Sequence, residues 1–297
     1  MVMIRSRNMK TKSIARTLAG FVLFFLGLAG IVYAAGTAAI RRTPYQEPAM
    51  PDDFPVEQVK LSAAGQPDLA GWVSQGSGKC GVALLLHGRG SDKSHMSGRA
   101  KMLLDAGISA VIFDLPAHGE SGGEVRGFGY DEATAVARMA AFVDERFPGQ
   151  KVAGVGASLG AAALVLAQDR FKADAYVMEE MFTTLEETTA ERMRLPLFRD
   201  WQAKLMLAQL PLRLGFSADD VRPVEKVGSI DSPVLLMAGA EDPFAGPAYA
   251  KRLFEAVTAK KQLVIIKGAR HQNLFRHDPA AYKAAVLPFL SNLLCEP

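Results

Sequence analysis

Apolar residues along this chain fall into short unbroken runs separated by stretches of helical period. The runs cover residues 81–86, 108–113, 152–157, 175–178, 234–238 and 263–266. Continuous runs of this length, without polar alternation, suit strands buried on both faces. Between most of them apolar positions recur at helical spacing, over about 99–106, 130–146, 159–168, 247–258 and 279–294. Such alternation predicts an α/β protein with a mostly parallel central sheet and helices on both faces. Two earlier segments, 56–61 and 69–73, are separated by the turn signal Gly65-Gln66-Pro67 and predict an antiparallel hairpin on the leading edge. Strand order does not follow from the pattern.

The N-terminus follows a different pattern. From Thr17 to Ile40 the chain carries no charge and is mostly apolar, and about 24 such residues suffice to cross a hydrocarbon core as a helix. A leader, residues 1–16, precedes this segment and contains Arg5, Arg7, Lys10, Lys12 and Arg16, against Arg41 and Arg42 on the far side. The imbalance predicts a single-pass anchor with the N-terminus cytoplasmic and the bulk of the chain translocated. A cleaved signal peptide, leaving a secreted or periplasmic domain, is the competing reading, since Val32-Tyr33-Ala34 and Gly36-Thr37-Ala38 have cleavage-like small residues. A buried core helix fits poorly, because the segment lacks a polar face. Residues 41–55, with Pro44, Pro48, Pro51 and Pro55, read as an extended tether holding a domain of residues 56–297 off the bilayer.

Candidate chemistry centres on the run at 152–157, which leads into Gly156-Ala157-Ser158-Leu159-Gly160 and then an alanine-rich helical stretch. This is the G-x-S-x-G nucleophile elbow in a strand-turn-helix context. A serine on so sharp a turn needs neighbours without bulk, which Gly156 and Gly160 supply. The plainer alternative is an ordinary glycine-rich turn with an inert hydroxyl at Ser158.

With these landmarks the chain resembles the α/β-hydrolase fold superfamily over roughly residues 56–294. The resemblance rests on His87-Gly88 after the third strand, the loop Asp114-Leu115-Pro116-Ala117-His118-Gly119-Glu120-Ser121 after the fourth, the elbow, and Gly268-Ala269-Arg270-His271 after the last. Ala117 departs from the family, where glycine is common. Within the superfamily the chain looks most like the serine hydrolases of the Bem46-like and monoglyceride-lipase-like groups, serine-aminopeptidase types included. The resemblance implies a triad in the order serine, acid, histidine. It places the acid in Ala240-Glu241-Asp242-Pro243, favouring Asp242, while Glu179 and Glu180 compete because some members draw the acid from the strand after the elbow. His271 is the expected base, with a solvated loop histidine as its plainer reading. Backbone N–H groups of Leu159 and Arg89 are the implied oxyanion donors.

Other polar residues read more blandly. His87 and His118 are expected to organise their loops, His95 and His277 to be solvated, and Asp114 to accept backbone N–H groups. Arg89, Arg126 and Arg270 would favour an acidic substrate if they converged near the pocket, but arginines on loops are ordinarily solvated. Residues 181–232 form an insertion too long for a simple connection and predict a small helical cap. Its apolar stretch 195–216 reads as a wall over Ser158, or equally as cap-to-core packing, with Glu186, Glu187, Glu191, Arg192 and Arg194 as its wet face.

Composition narrows the function classes. A net charge of +3, much of it in the leader, gives no support for nucleic-acid binding. The two cysteines, Cys80 and Cys295, have no metal-ligand spacing, though export would let them pair. No P-loop, dinucleotide fingerprint or zinc-protease motif occurs, so neither cofactor nor metal is expected. The expectation is a membrane-anchored serine hydrolase acting on a small acyl ester or thioester through an acyl-enzyme on Ser158. A peptidase or amidase with the same triad is the enzymatic alternative, and a non-catalytic α/β-hydrolase-fold binding protein the other. A haloalkane dehalogenase is disfavoured, because its elbow nucleophile is a carboxylate.

Overall fold

A computed structural model describes residues 2–45, 50–193 and 195–295, with side chains from residue 16 onward. The chain opens with helix α1 (Val2–Ile40) and continues through β1 (Glu57–Leu61), β2 (Leu69–Ser74), β3 (Val82–Leu86), α2 (Ser97–Asp105) and β4 (Ser109–Phe113). There follow α3 (Tyr130–Arg146), β5 (Val152–Ala157), α4 (Leu159–Leu166) and β6 (Ala175–Glu179). The insertion carries α5 (Leu185–Ala190), α6 (Arg199–Leu207), α7 (Leu210–Leu214) and α8 (Pro223–Lys226). After it come β7 (Val234–Gly239), α9 (Pro247–Ala256), β8 (Lys261–Ile266), α10 (Leu274–His277) and α11 (Pro279–Leu294).

The strands form one sheet in the order β1-β2-β4-β3-β5-β6-β7-β8. The hairpin β1–β2 is antiparallel, β2 also pairs antiparallel with β4, and every pair from β4 onward is parallel. The apolar runs therefore mark the sheet, as expected of strands covered on both faces. Alternate residues of β3 serve opposite cores: Leu84 and Leu86 pack with Val136 of α3 and Leu164 of α4, while Ala83 and Leu85 pack with Leu103 of α2 and Val286 of α11. Because β3 lies between β4 and β5, the chain leaves it first to one side and then to the other. The carboxyl ends of β3 and β5 thus flank the point where the winding reverses, the usual place for a ligand crevice in such sheets.

Cys80, just before β3, and Cys295, just after α11, form a disulfide across a sequence separation of 215.

Helix α1 contains an apolar stretch, Arg16–Ile40, of 25 residues, whose most apolar 18-residue window has a mean hydropathy of 2.3 and is not buried, while Ala39 and Ile40 at its end pack into the core. By length and composition it fits a membrane-spanning helix or a signal sequence. Its C-terminal end is not set off from the domain by a free spacer. Arg41 bridges Val125, and the Arg42 guanidinium donates to the carbonyls of Gly119, Ser121 and Gly123 at 2.7 to 2.9 Å. The proline-rich composition of 41–55 suggested an extended tether, but its first residues are held down by carbonyls that only the folded 114–123 loop presents. Residues 46–49 of that segment lie outside the described residues.

Of the two readings of 195–216, cap-to-core packing describes Leu207, Leu210 and Phe216, which are buried in the core. Leu197, Phe198, Trp201 and Leu212 lie on the outer surface, Leu197 and Leu212 more than nine-tenths exposed. The helix that carries Trp201 packs along α1, to which Gln209 and Arg213 donate at Val32, Tyr33 and Thr37. Period alone cannot tell a helix face that covers a pocket from one that faces outward beside another helix.

Candidate active site

Three strand ends supply the centre of the site. Ser158 stands between β5 and α4 with φ 49° and ψ −106°, a left-handed conformation that costs a non-glycine residue on the order of 1–3 kcal/mol. The elbow glycines permit it by close approach. A Cβ on Gly156 would sit 2.5 Å from the Ala161 nitrogen, and one on Gly160 would sit 2.4 Å from the Leu86 oxygen.

Ser158 Oγ lies 3.2 Å from His271 Nε2, and His271 Nδ1 lies 2.7 Å from Asp242 Oδ2. The other Asp242 oxygen accepts the N–H groups of Phe244 and Ala245 at 2.7 and 3.1 Å. Burial alone would raise the Asp242 pKa, but the His271 hydrogen bond and charge, with these two amides, hold it below the ordinary aspartate value. The carboxylate is thereby kept ionised against the imidazole. The structure thus brings together all three residues proposed from sequence for proton transfer.

The competing acids have other partners. Glu179 takes the Arg99 guanidinium on both oxygens and accepts the Tyr282 hydroxyl at 2.5 Å. Arg99 also donates to Asn273 Oδ1 at 2.9 Å, bracing the loop that carries His271. Glu180 is also left-handed, at φ 49°, and accepts the Gln272 N–H at 3.1 Å. Burial, aided by the charges of Asp242 and Glu179, pushes its pKa up to about 9, so it is a neutral acid at physiological pH. Glu180, Asp242 and His271 offer ligand atoms within 4.8 Å of one another. Of these three residues, His271 and Asp242 are joined by the direct Nδ1–Oδ2 hydrogen bond.

Around the second expected donor, Gly88 lies close enough to Ser158 that a Cβ there would sit 3.6 Å from the serine Cβ. Arg89 and Leu159 both line the cavity. Beneath this turn His87 bonds the Gly88 carbonyl through Nδ1 at 2.8 Å and accepts the Leu115 N–H on Nε2 at 3.1 Å. Burial lowers its pKa to about 4, which keeps the ring neutral and able to do both. His118 bonds the Pro116 carbonyl, and burial takes its pKa down to about 3. Asp114 accepts the backbone N–H groups of Lys93 and Glu120, as expected, and also pairs with the buried Lys93 ammonium at 2.8 Å. Ala117, at φ 59°, holds the left-handed position where the resemblance expects glycine.

The site opens into a cavity of about 460 Å³ whose apolar lining includes Met96, Phe128, Phe182 and Leu185. Its cap-side wall therefore comes from the first part of the insertion, not from 195–216. Arg89 and Arg126 line the cavity, while Arg270 is exposed and absent from the lining. The third arginine there is Arg192, which sequence placed on the wet face of the cap. Arg194 lies outside the described residues. His95 also reaches the cavity rim, and His277 is exposed beside Gln272. Arg99 and Asn273 escaped the sequence reading, since their sole signal was an arginine within an otherwise ordinary helical pattern.

Similar proteins agree with this architecture. The chain is 27% identical over 198 residues to the uncharacterized protein YqkD of Bacillus subtilis, an overlap spanning 65% of each. It is 30% identical over 234 residues to the uncharacterized protein Rv2307c of Mycobacterium tuberculosis, spanning 75% of each. Among solved structures, the Pyrococcus furiosus esterase Pf2001 superposes with a TM-score of 0.68 at 20% identity, covering 84% of this chain and 99% of that one. A structure described as a membrane phospholipase A, a bacterial virulence factor, superposes with a TM-score of 0.61 at 17% identity, covering 94% and 98%. At these identities the superpositions establish the fold. Residues 83–285 match the Alpha/beta hydrolase family. That match begins in β3 and ends in α11, spanning every strand end that contributes to the cavity, and the chain belongs to the alpha/beta hydrolase family.

Proposed function

We propose that this protein is a membrane-anchored serine hydrolase that cleaves a carboxylic ester or thioester through an acyl-enzyme on Ser158. The observation that carries the reading is the hydrogen-bonded chain Ser158–His271–Asp242 at the mouth of a partly apolar cavity. His271 takes the proton of Ser158 as Oγ attacks the acyl carbon, then returns it to the leaving group. Asp242 fixes the imidazole tautomer and stabilises the imidazolium. The backbone N–H groups of Leu159 and Arg89 receive the oxyanion, each contributing about 3 kcal/mol at the transition state. Water then repeats the sequence on the acyl-enzyme. That solved esterases and a membrane phospholipase share the fold agrees with this chemistry.

Anchoring by α1 is part of the proposal. The basic leader favours a cytoplasmic N-terminus, and the Cys80–Cys295 disulfide favours an oxidising location for the domain. Retention of α1 is favoured by the hydrogen bonds that Gln209 and Arg213 make to it, which cleavage after Ala34 or Ala38 would sever or strand.

One experiment tests chemistry and placement together. The full chain is expressed in cells, right-side-out membrane vesicles are prepared, and a membrane-impermeant fluorophosphonate is added alongside a panel of esters, thioesters and amides. The expected result is labelling of intact vesicles, retention in the membrane after alkaline washing, and turnover of esters and thioesters. Labelling only after lysis would reverse the orientation, and release of a soluble labelled chain would make α1 a signal peptide. Absence of both labelling and turnover would remove the hydrolase reading.

A further inference from the structure

Arg89, Arg126 and Arg192 come from three separate segments and line one cavity with Ser158. Arginine side chains brought together this way ordinarily find carboxylates. Here the acceptors they meet are carbonyl and hydroxyl oxygens. Arg89 donates to Ala39 O at 3.1 Å, and Arg126 donates to Ala39 O at 3.0 Å, with Thr43 Oγ1 and Ala38 O more distant at 3.4 Å. Arg192 donates to the Thr188 carbonyl at 2.7 Å and to its hydroxyl, and lies over the Phe244 ring. Arg126 Nε is buried with no partner among the described residues.

The charge balance of the cavity is correspondingly positive. Enclosure, followed by the charge of Arg89, brings Arg126 and Arg192 down to about 10, which leaves both cationic at neutral pH, and enclosure also lowers Arg89. The nearby acids offset them only in part, Glu132 acting on Arg126 and Asp242 on Arg192, and none is ion-paired with them among the described residues. Glu180 is protonated, Asp242 is committed to His271 and two amides, and Glu132 is spent on the N–H groups of Gly127 and Gly129. Guanidinium groups held at a substrate cavity on neutral oxygens, with no carboxylate ion-paired to them among the described residues, make a preorganised receptor for an anion.

We infer that the Ser158 cavity receives an ester bearing an oxyanionic group, phosphate or carboxylate, held by Arg89, Arg126 and Arg192; this rests on the serine-hydrolase reading above. The same arginines fix where the cavity opens. Two of them hold last-turn carbonyls of α1, and the cap helices beside α1 expose Trp201 and Leu212. The cavity therefore lies next to the end of the apolar helix, where an anionic amphiphile in a bilayer has the shortest path to it. A small water-soluble anionic ester shares the same chemistry.

The test uses the full chain in detergent micelles and two matched substrate pairs. The amphiphilic pair is 1-decanoylglycerol 3-phosphate against 1-decanoylglycerol. The soluble pair is the p-nitrophenyl hemiester of glutarate against p-nitrophenyl pentanoate. The expected kcat/KM favours the anionic member by about tenfold to a hundredfold, the range of charge-assisted hydrogen bonds. Preference confined to the first pair identifies the lipid source, and preference confined to the second identifies the soluble one. Arg126→Gln and Arg192→Gln should each lower the anionic-to-neutral ratio by about tenfold, with Lys replacements losing less. For the unaltered protein, raising salt from about 0.05 to 0.5 M should shrink the ratio, a readout independent of variant folding. A ratio near one in both pairs, or a ratio untouched in the folded double variant, overturns the anion site. If none of the four esters is turned over, the hydrolase reading falls instead. Calorimetric binding of the two amphiphiles to Ser158→Ala then decides the anion site alone, tighter binding of the phosphate supporting it and equal binding overturning it.

Discussion

Ser158→Ala should lower turnover of any ester the protein accepts by about 10⁶-fold, the loss seen when a triad nucleophile is removed. The residual rate reflects binding and oxyanion stabilisation, which the substitution leaves in place. Fluorophosphonate labelling should vanish in parallel, because an activated hydroxyl, unlike ordinary serines, owes its nucleophilicity to the adjacent base. The substitution is mild for the fold. Alanine must still adopt φ 49°, as serine does, and Ala117 already holds φ 59° elsewhere in the molecule. Circular dichroism and the melting temperature should therefore match the parent within a few degrees. Labelling or turnover that survives in a folded Ser158→Ala protein would displace the nucleophile from this residue.

Asp242→Asn should cost about 10⁴-fold in turnover with little loss of stability. An amide at this position can present its N–H₂ group to Nδ1, which stabilises the tautomer with the proton on Nε2 and leaves no base facing Ser158. The contrast lies in the neighbouring acids. Glu180→Gln replaces a group that is already neutral at physiological pH, so most activity should remain. Glu179→Gln leaves the Arg99 charge buried and half-partnered, which should appear as about 3–5 kcal/mol of lost stability measured by denaturant unfolding. A 10⁴-fold loss at Glu179 or Glu180, with Asp242→Asn active, would move the acid to the end of β6.

The strands and the elbow were legible because each is a local pattern with a local cause. A strand buried on both faces must be apolar throughout, and a serine at φ 49° between two close backbones requires Gly156 and Gly160. His271 and Asp242 followed from chain order and from the family resemblance, and the geometry brings them to Ser158. Strand order was not legible, because β3 meets β4 and β5 through contacts distant in sequence. The two readings of the cap stretch, pocket wall or cap-to-core packing, were separated only by contacts of the same distant kind. Leu207, Leu210 and Phe216 of 195–216 pack into the core, which includes Ile40 of α1 more than 150 residues away in sequence, while Leu197, Phe198, Trp201 and Leu212 stay on the outer surface and none of the stretch lines the cavity. Arg192 was assigned to the wet face because charge ordinarily points to water, and its turn into the cavity depends on Thr188 and Phe244. Arg99 and Lys93 are long cations fully buried against Glu179 and Asp114, pairings that nothing in their neighbouring residues announces.

The disulfide between Cys80 and Cys295 closes a covalent circle that contains the sheet from β3 onward and the whole cap, leaving α1 and the β1–β2 hairpin as a tail. A single peptide-bond cut anywhere inside that circle cannot divide the molecule in two. The exposed segment around Leu197 is the natural place for such a nick. A protein clipped there should run as one species on a denaturing gel and separate into two fragments only after a thiol is added. A hydrolase built this way tolerates its first proteolytic injury without losing the piece that carries His271.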